Sequence, residues 1–418
     1  GKIFADNTEV TAISDDGLAL IVMIDEATKV QISKQDITGE GELPGATLQV
    51  LDGDTVIDEW VSGTEPHYIE GKLTAGKTYT LRETIAPDGY VLKSDIEFTV
   101  NTDGSVNHVV MYNSDSTGTV QVQKRTKGMV SLSGITLHLR GTSDSGKAID
   151  IPAVTDETGL AVWTAIPTGT YEVYEDAYTV PTAYLVADPI EVTVMYAQTT
   201  TAEIFNNEKT GSIVVNKTTE GMLNIEGREF VLSGTSDVGR EISISAKTDK
   251  NGKATFDNIP VGTYTVTETT ESTPYAYLTA DPVEVTVFYA EETNIEVKNE
   301  EKTGSIQIQK QTEGMTDLEG IEFILSGTSD SGRDIRLTSV TDKNGNATFT
   351  AVPVGTYTIT ENGDTVPVGY MVADDQTVQV FYAETTNVVV NNEKIPETPD
   401  SPPPTGAAAV SIPAILIL

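Results

Sequence analysis

Three polar residue types recur at a nearly constant interval in a chain of 418 residues. Lysines close the stretches GTVQVQK, GSIVVNK and GSIQIQK at Lys124, Lys217 and Lys310. Glutamates close GTYEVYE, GTYTVTE and GTYTITE at Glu175, Glu268 and Glu361. Asparagines follow in EIFNNEK, EVKNEEK and VVVNNEK, read at Asn206, Asn299 and Asn391. A more divergent unit ahead of these offers Lys34 in VQISK, Glu83 in TYTLRE and Asn113 in VVMYN. An amine, an acid and a carboxamide held together away from water can condense. Burial disfavours the charged forms of lysine and glutamate, and a neutral amine is a nucleophile. A protonated acid can polarise the carboxamide's carbonyl and carry protons to the departing nitrogen. Ammonia leaves and an isopeptide bond remains, made once per unit and never turned over.

The surrounding elements decide whether these groups meet. Each residue ends a short stretch of alternating apolar residues, so strand periodicity sets its face. Val120 and Val122 share a face with Lys124, and Tyr79 and Leu81 share one with Glu83. Ile204 shares a face with Asn206, and Val389 with Asn391. The same parity in three strands of four units predicts that all three residue types point inward. For any one strand, a polar residue turning out to solvent at the strand end is the simpler alternative. A buried ion pair capped by Asn is a second alternative, and it gives little net stability.

Composition agrees with an all-β protein rich in Thr, Val, Ile and Tyr, with recurring Gly turns. The net charge of −37 is spread along the chain and disfavours nucleic acid and anionic lipid. With no cysteine, a disulfide framework and thiol chemistry are excluded. Three histidines, His67, His108 and His138, share no metal-ligand spacing, so no metal site and no cofactor is expected. DKNG at 249–252 and 342–345 reads as a hairpin turn in preference to a calcium loop. Trp60 and Trp163 read as packing residues.

The near-constant repeat of about 90 residues predicts tandem β-domains. The expected boundaries are a closing strand of a truncated domain at 1–28, domains at 29–116, 117–209, 210–302 and 303–394, and a tail at 395–418. Short connections predict a semi-rigid array. Beginning at Gly1 and ending in an apolar run, the chain reads as a piece of a longer one.

The unit carrying VQISKQD, ELPGATLQV, WVSGTEPHYI and YTLRETIAPDGY resembles SpaA-type members of the CnaB domain family, found in surface adhesins and pilins of Gram-positive bacteria. The three later units keep GTYxxxE and are similar to it more loosely, with VPTAY, TPYAY and VPVGY in place of APxGY. The resemblance implies a tandem array of Ig-like β-sandwiches. It also implies isopeptide pairs Lys34–Asn113, Lys124–Asn206, Lys217–Asn299 and Lys310–Asn391, with Glu83, Glu175, Glu268 and Glu361 as the catalytic acids. Asp25 would be the acceptor of the truncated domain. PPPTG, comprising Pro402, Pro403, Pro404, Thr405 and Gly406, is similar to the sortase motif LPxTG, with Pro402 at the Leu position. Its placement after a Pro-rich spacer and before an apolar run implies attachment of Thr405 to peptidoglycan by sortase. It also implies secretion, with only transient membrane contact. The expected function is therefore a structural stalk that is not an enzyme in the turnover sense and that projects an N-terminal adhesive region. The alternatives are a pilin subunit, against which the lack of a YPK-type motif counts, or the spacer of a wall-attached enzyme. The host ligand stays open.

Overall fold

The computed structural model describes residues 2–3, 9–13, 19–22, 26–39, 41–128, 131–221 and 224–396, with side chains from Ala27 onward. Among these residues the regular structure is β-strand, without an α-helix and with two short 3-10 turns at Thr270–Ser272 and Gly363–Thr365. Four units repeat one plan, a three-stranded sheet facing a four-stranded sheet. The first two lie in one compact unit and the last two in another. The all-β tandem-sandwich reading of the sequence holds.

Repeat two illustrates the plan. Thr117–Thr126 is the central strand of its small sheet, flanked by Leu160–Pro167 antiparallel and by the last strand, Thr199–Asn206, parallel. The larger sheet orders Ala148–Val154, Thr136–Ser143, Gly169–Glu175 and Ile190–Val194. First and last strands are parallel neighbours in all four repeats. A parallel pair cannot be closed by a tight hairpin, so the rest of each repeat is the crossover between them. The chain thereby enters a repeat at one end of this strand pair and leaves at the other.

Alternation fills the core. In repeat four, Ile306 and Ile308 of the first strand and Val390 of the last pack with Phe323, Leu325, Tyr357 and Ile359 of the opposite sheet. Fully burying such side chains is worth about 1.5–3 kcal/mol each. Tyr171, Tyr264 and Tyr357 of the GTY motifs are buried, and each hydroxyl donates to the carbonyl of a proline four residues earlier: Pro167 at 2.8 Å, Pro260 at 2.7 Å and Pro353 at 2.7 Å. These bonds fix the strand that carries the glutamate. Trp163 is buried and donates from its indole nitrogen to the Ile151 carbonyl at 2.8 Å, a packing role. Trp60 packs against the core of repeat one and stacks on His67, ring centroids 4.0 Å apart.

The DKNG segments are turns, but not hairpins. Residues 249–252 join Glu241–Lys247 of the larger sheet to Lys253–Pro260 of the smaller one. The Asp249 carboxylate accepts from the amides of Asn251 (2.8 Å) and Lys253 (2.9 Å), which occupies the group a calcium loop would need. Local turn chemistry was legible, whereas the sheet that each flanking strand joins is a tertiary choice.

Gly118 marks where the chain enters repeat two. A Cβ there would stand 2.5 Å from the Met195 carbonyl oxygen and 2.9 Å from that of Gln198, both at the turn leading into the last strand. Gly118→Ala is expected to destabilise repeat two by about 1–3 kcal/mol through overpacking against backbone, measured by chemical denaturation of the full chain.

Candidate functional site

The parallel register sets the reach of the lysines. Lys34 lies opposite Met111, Lys124 opposite Ile204, Lys217 opposite Val297 and Lys310 opposite Val390. In each repeat the asparagine two residues beyond that partner shares its face: Asn113, Asn206, Asn299 and Asn392. Diagonal neighbours of this kind are about 7–8 Å apart at Cα, within reach of a lysine. The glutamate arrives from the opposite sheet, two residues beyond the apolar position that follows the motif tyrosine, as in Tyr171, Val173 and Glu175. Each site thus ties together the first strand, the last strand and the facing sheet.

The fourth repeat corrects the sequence reading. Asn391 is exposed and lies opposite Gln311, whereas Asn392 is 3% exposed and faces the glutamate. Matching the NEEK and NNEK endings aligned the segments one residue out of step, and a one-residue slip moves a strand residue to the other face. The Val389 parity fails with it, because Val389 is exposed and Val390 is buried.

The geometry is nearly the same in all four repeats. Exposure is at most 2% for the lysines, 5% for the glutamates and 3% for the asparagines that face them. Lysine Nζ lies 3.6 Å from Glu83 Oε1 in repeat one, 3.3 Å from Glu175 Oε1 in repeat two, 3.9 Å from Glu268 Oε1 in repeat three and 3.1 Å from Glu361 Oε1 in repeat four. The other carboxylate oxygen accepts from the asparagine Nδ2: 3.0 Å for Asn113, 2.5 Å for Asn206, 2.5 Å for Asn299 and 2.6 Å for Asn392. That same oxygen accepts from a backbone amide, of Lys93 (2.7 Å), Ala187 (2.8 Å), Ala280 (3.0 Å) or Ala373 (2.8 Å).

A backbone carbonyl fixes the carboxamide's orientation. Nδ2 donates to Val91 O at 3.1 Å, Leu185 O at 2.8 Å, Leu278 O at 2.8 Å and Met371 O at 2.8 Å in the four repeats in turn. A carbonyl can only accept, so the atom beside it is the nitrogen. The sequence reading had the acid polarising the carbonyl, whereas here it holds the amide nitrogen. In repeat one Lys34 Nζ donates to Asn113 Oδ1. In the other three the Oδ1 atom is buried with no hydrogen-bond partner. These orienting backbone groups had no signal in the sequence, since they follow from how the segment after the glutamate strand folds back.

Burial pushes all four lysines down from the ordinary amine range, and attraction to the neighbouring glutamate only partly offsets it. Lys217, farthest from its glutamate, is brought down to about 8. The arrangement has the parts for one condensation: an amine biased towards its neutral form, a carboxamide, and a carboxyl that is 3.1–3.9 Å from the amine and hydrogen-bonded to the carboxamide nitrogen. Among the described residues no group of three or more His, Asp or Glu is arranged to hold a metal ion. Asp25 and Pro402 to Gly406 lie outside the described residues.

The model of the SpaA prealbumin-like fold domain matches four times, at residues 28–115, 118–208, 211–301 and 304–394. No curated protein matches the chain. Among solved structures, the Bacillus anthracis TIE protein is similar at 20% identity, covering 89% of this chain and 70% of that one, with a TM-score of 0.54. BcpA, the major pilin subunit of Bacillus cereus, aligns at 16% identity over 66% of this chain and 99% of its own, with a TM-score of 0.34. The shaft pilin SpaA from Lactobacillus rhamnosus GG aligns at 17% identity over 44% of this chain and 99% of its own, with a TM-score of 0.21. Four successive matches, each lying on a two-sheet sandwich, establish that the chain belongs to the SpaA prealbumin-like domain family, in tandem copies.

Proposed function

We propose that every repeat closes an intramolecular Lys–Asn isopeptide bond: Lys34–Asn113, Lys124–Asn206, Lys217–Asn299 and Lys310–Asn392. The observation that carries this reading is the convergence of buried amine, acid and carboxamide, with the same partners, in all four cores. The lysine passes one proton to glutamate Oε1, giving a neutral amine and a carboxylic acid. The amine attacks Cγ of the asparagine. The acid then gives its proton to Nδ2 and takes one from the former amine, so the C–Nδ2 bond breaks and ammonia leaves. The products are a secondary amide, free ammonia and a protonated glutamic acid. Fixed proximity within a water-excluded core supplies much of the acceleration.

The bond would join the first and last strands, enclosing about 80 residues, and loop-closure arithmetic for that span gives about 4–5 kcal/mol. Its mechanical consequence is larger. Tension entering along the first strand crosses to the last strand through the bond, bypassing the rest of the repeat. This suits a structural stalk on a Gram-positive cell surface, secreted and attached to peptidoglycan through Thr405 by sortase, holding an adhesive region away from the wall. The domain family and the sorting-like PPPTG support that placement.

Intact-mass measurement of the purified chain is expected to show a deficit of one ammonia per closed repeat, and a mass equal to the bare sequence would end the proposal. Glu83→Ala, Glu175→Ala, Glu268→Ala and Glu361→Ala should each restore one ammonia. In repeat four, Asn392→Ala should restore one and Asn391→Ala none, read in the same spectrum.

Closure of repeat three in newly translated protein should slow as pH rises through about 8, because the proton that Lys217 passes to Glu268 and on to the leaving nitrogen is lost from the pair there. In an unclosed Asn299→Ala chain, the folded pKa lies below the unfolded 10.5. The unfolded state then binds more protons between these values, so this lysine makes stability rise with pH across that window. Urea titrations at stepped pH measure it.

A further inference from the structure

A second set of charged residues repeats with the same interval and takes no part in the buried sites. Asp115, Glu208 and Glu301 follow the last strands and are 93 residues apart, as are Lys147, Arg240 and Arg333 in the turn after the second strand. Asp115 and Glu301 each form a β-bridge to the tyrosine of the segment that holds the asparagine, Tyr90 and Tyr277.

Two junctions show what the set does. Between repeats one and two, Lys147 Nζ lies 2.7 Å from Asp115 and 2.8 Å from Asp36, and the Tyr90 hydroxyl donates to Asp36 at 2.8 Å. The turn is pressed onto repeat one: a Cβ on Gly89 would lie 2.9 Å from Ser145 Cα. Between repeats three and four, Arg333 Nη2 lies 2.6 Å from Glu301, whose side chain is 3% exposed, and Ser331 donates to the other carboxylate oxygen. A Cβ on Gly221 would lie 2.9 Å from Arg333 Cβ. Ala276, Tyr277 and Val354 form a small buried cluster at this same junction.

We propose that, between repeats one and two and between repeats three and four, the basic turn of the later repeat is a docking key for an acidic notch on the end of the earlier one, so that each such pair is held at a set angle instead of joined by a free linker. A buried carboxylate needs a cation in contact, so any rotation that separates Arg333 from Glu301 leaves a buried charge unpaired. The two junctions use different residues for one task. Lys147 is shared between two aspartates, and Arg333 pairs with one glutamate through a planar guanidinium. Lys394 occupies the equivalent position in repeat four, bridged to Tyr370. That end face therefore does not accept a basic turn of this kind.

The chain has no cysteine, so Thr255→Cys and Thr350→Cys place one spin label on each of repeats three and four of the full chain. Electron–electron resonance should give one narrow distance distribution. Glu301→Arg should broaden it, and Glu301→Arg with Arg333→Glu should narrow it again. Gly221→Asn keeps both charges and tolerates a positive φ, but its Cβ blocks the approach, so it should also shift or broaden the distribution. Circular dichroism melting reports whether each variant stays folded. A narrow, unshifted distribution in folded Glu301→Arg overturns the proposal, as does a double variant that stays as broad as the single one.

Discussion

A lysine and a glutamate, both buried, share each core, and the rest of every repeat is arranged around that pair. Lys124 and Lys310 are fully buried, and their counter-ions come from the opposite sheet. Two charges left apart in such a place would cost several kcal/mol each. The sandwich can close only with the two sheets in the register that brings amine to acid. The asparagine completes the set by donating to the same carboxylate, and a backbone amide and carbonyl lock both groups in place. The result is a polar cluster enclosed within an apolar interior.

Environment, not residue type, separates the two lysine populations. Lys217 faces a single glutamate 3.9 Å away in a closed core, and burial brings it down to about 8. For Lys147, a third exposed, burial pulls the same way but hydrogen bonds to Asp115 and Asp36 outweigh it, and its pKa is raised. The first is biased towards a nucleophile and the second towards a permanent cation. One serves the inside of a repeat and the other the seam between repeats.

Topology gives these contacts their mechanical sense. Parallel first and last strands place entry and exit at opposite ends of a repeat, so pulling on the chain shears that strand pair. The buried cluster joins this pair near its exit end, and the basic turn of the next repeat docks immediately beyond it, at Asp115 or Glu301.

The strand periods, the repeat interval and the inward parity of lysine and glutamate were all legible in the amino-acid order, because side chains alternate along a strand whatever its partners are. For that reason Lys34, Glu83 and Asn113 could be grouped although 79 positions separate the first from the last. Parity gave the wrong asparagine in repeat four, since Asn391 and Asn392 are adjacent and the choice depends on pairing with Lys310's strand, a register set by the partner strand. Turn chemistry at Asp249 was readable, but not which sheets it joins. Nor did the sequence disclose which carboxamide atom meets the acid, because a backbone carbonyl from a distant loop settles that. Local order determined which residues face inward, and only packing of one sheet against another decided which of them touch.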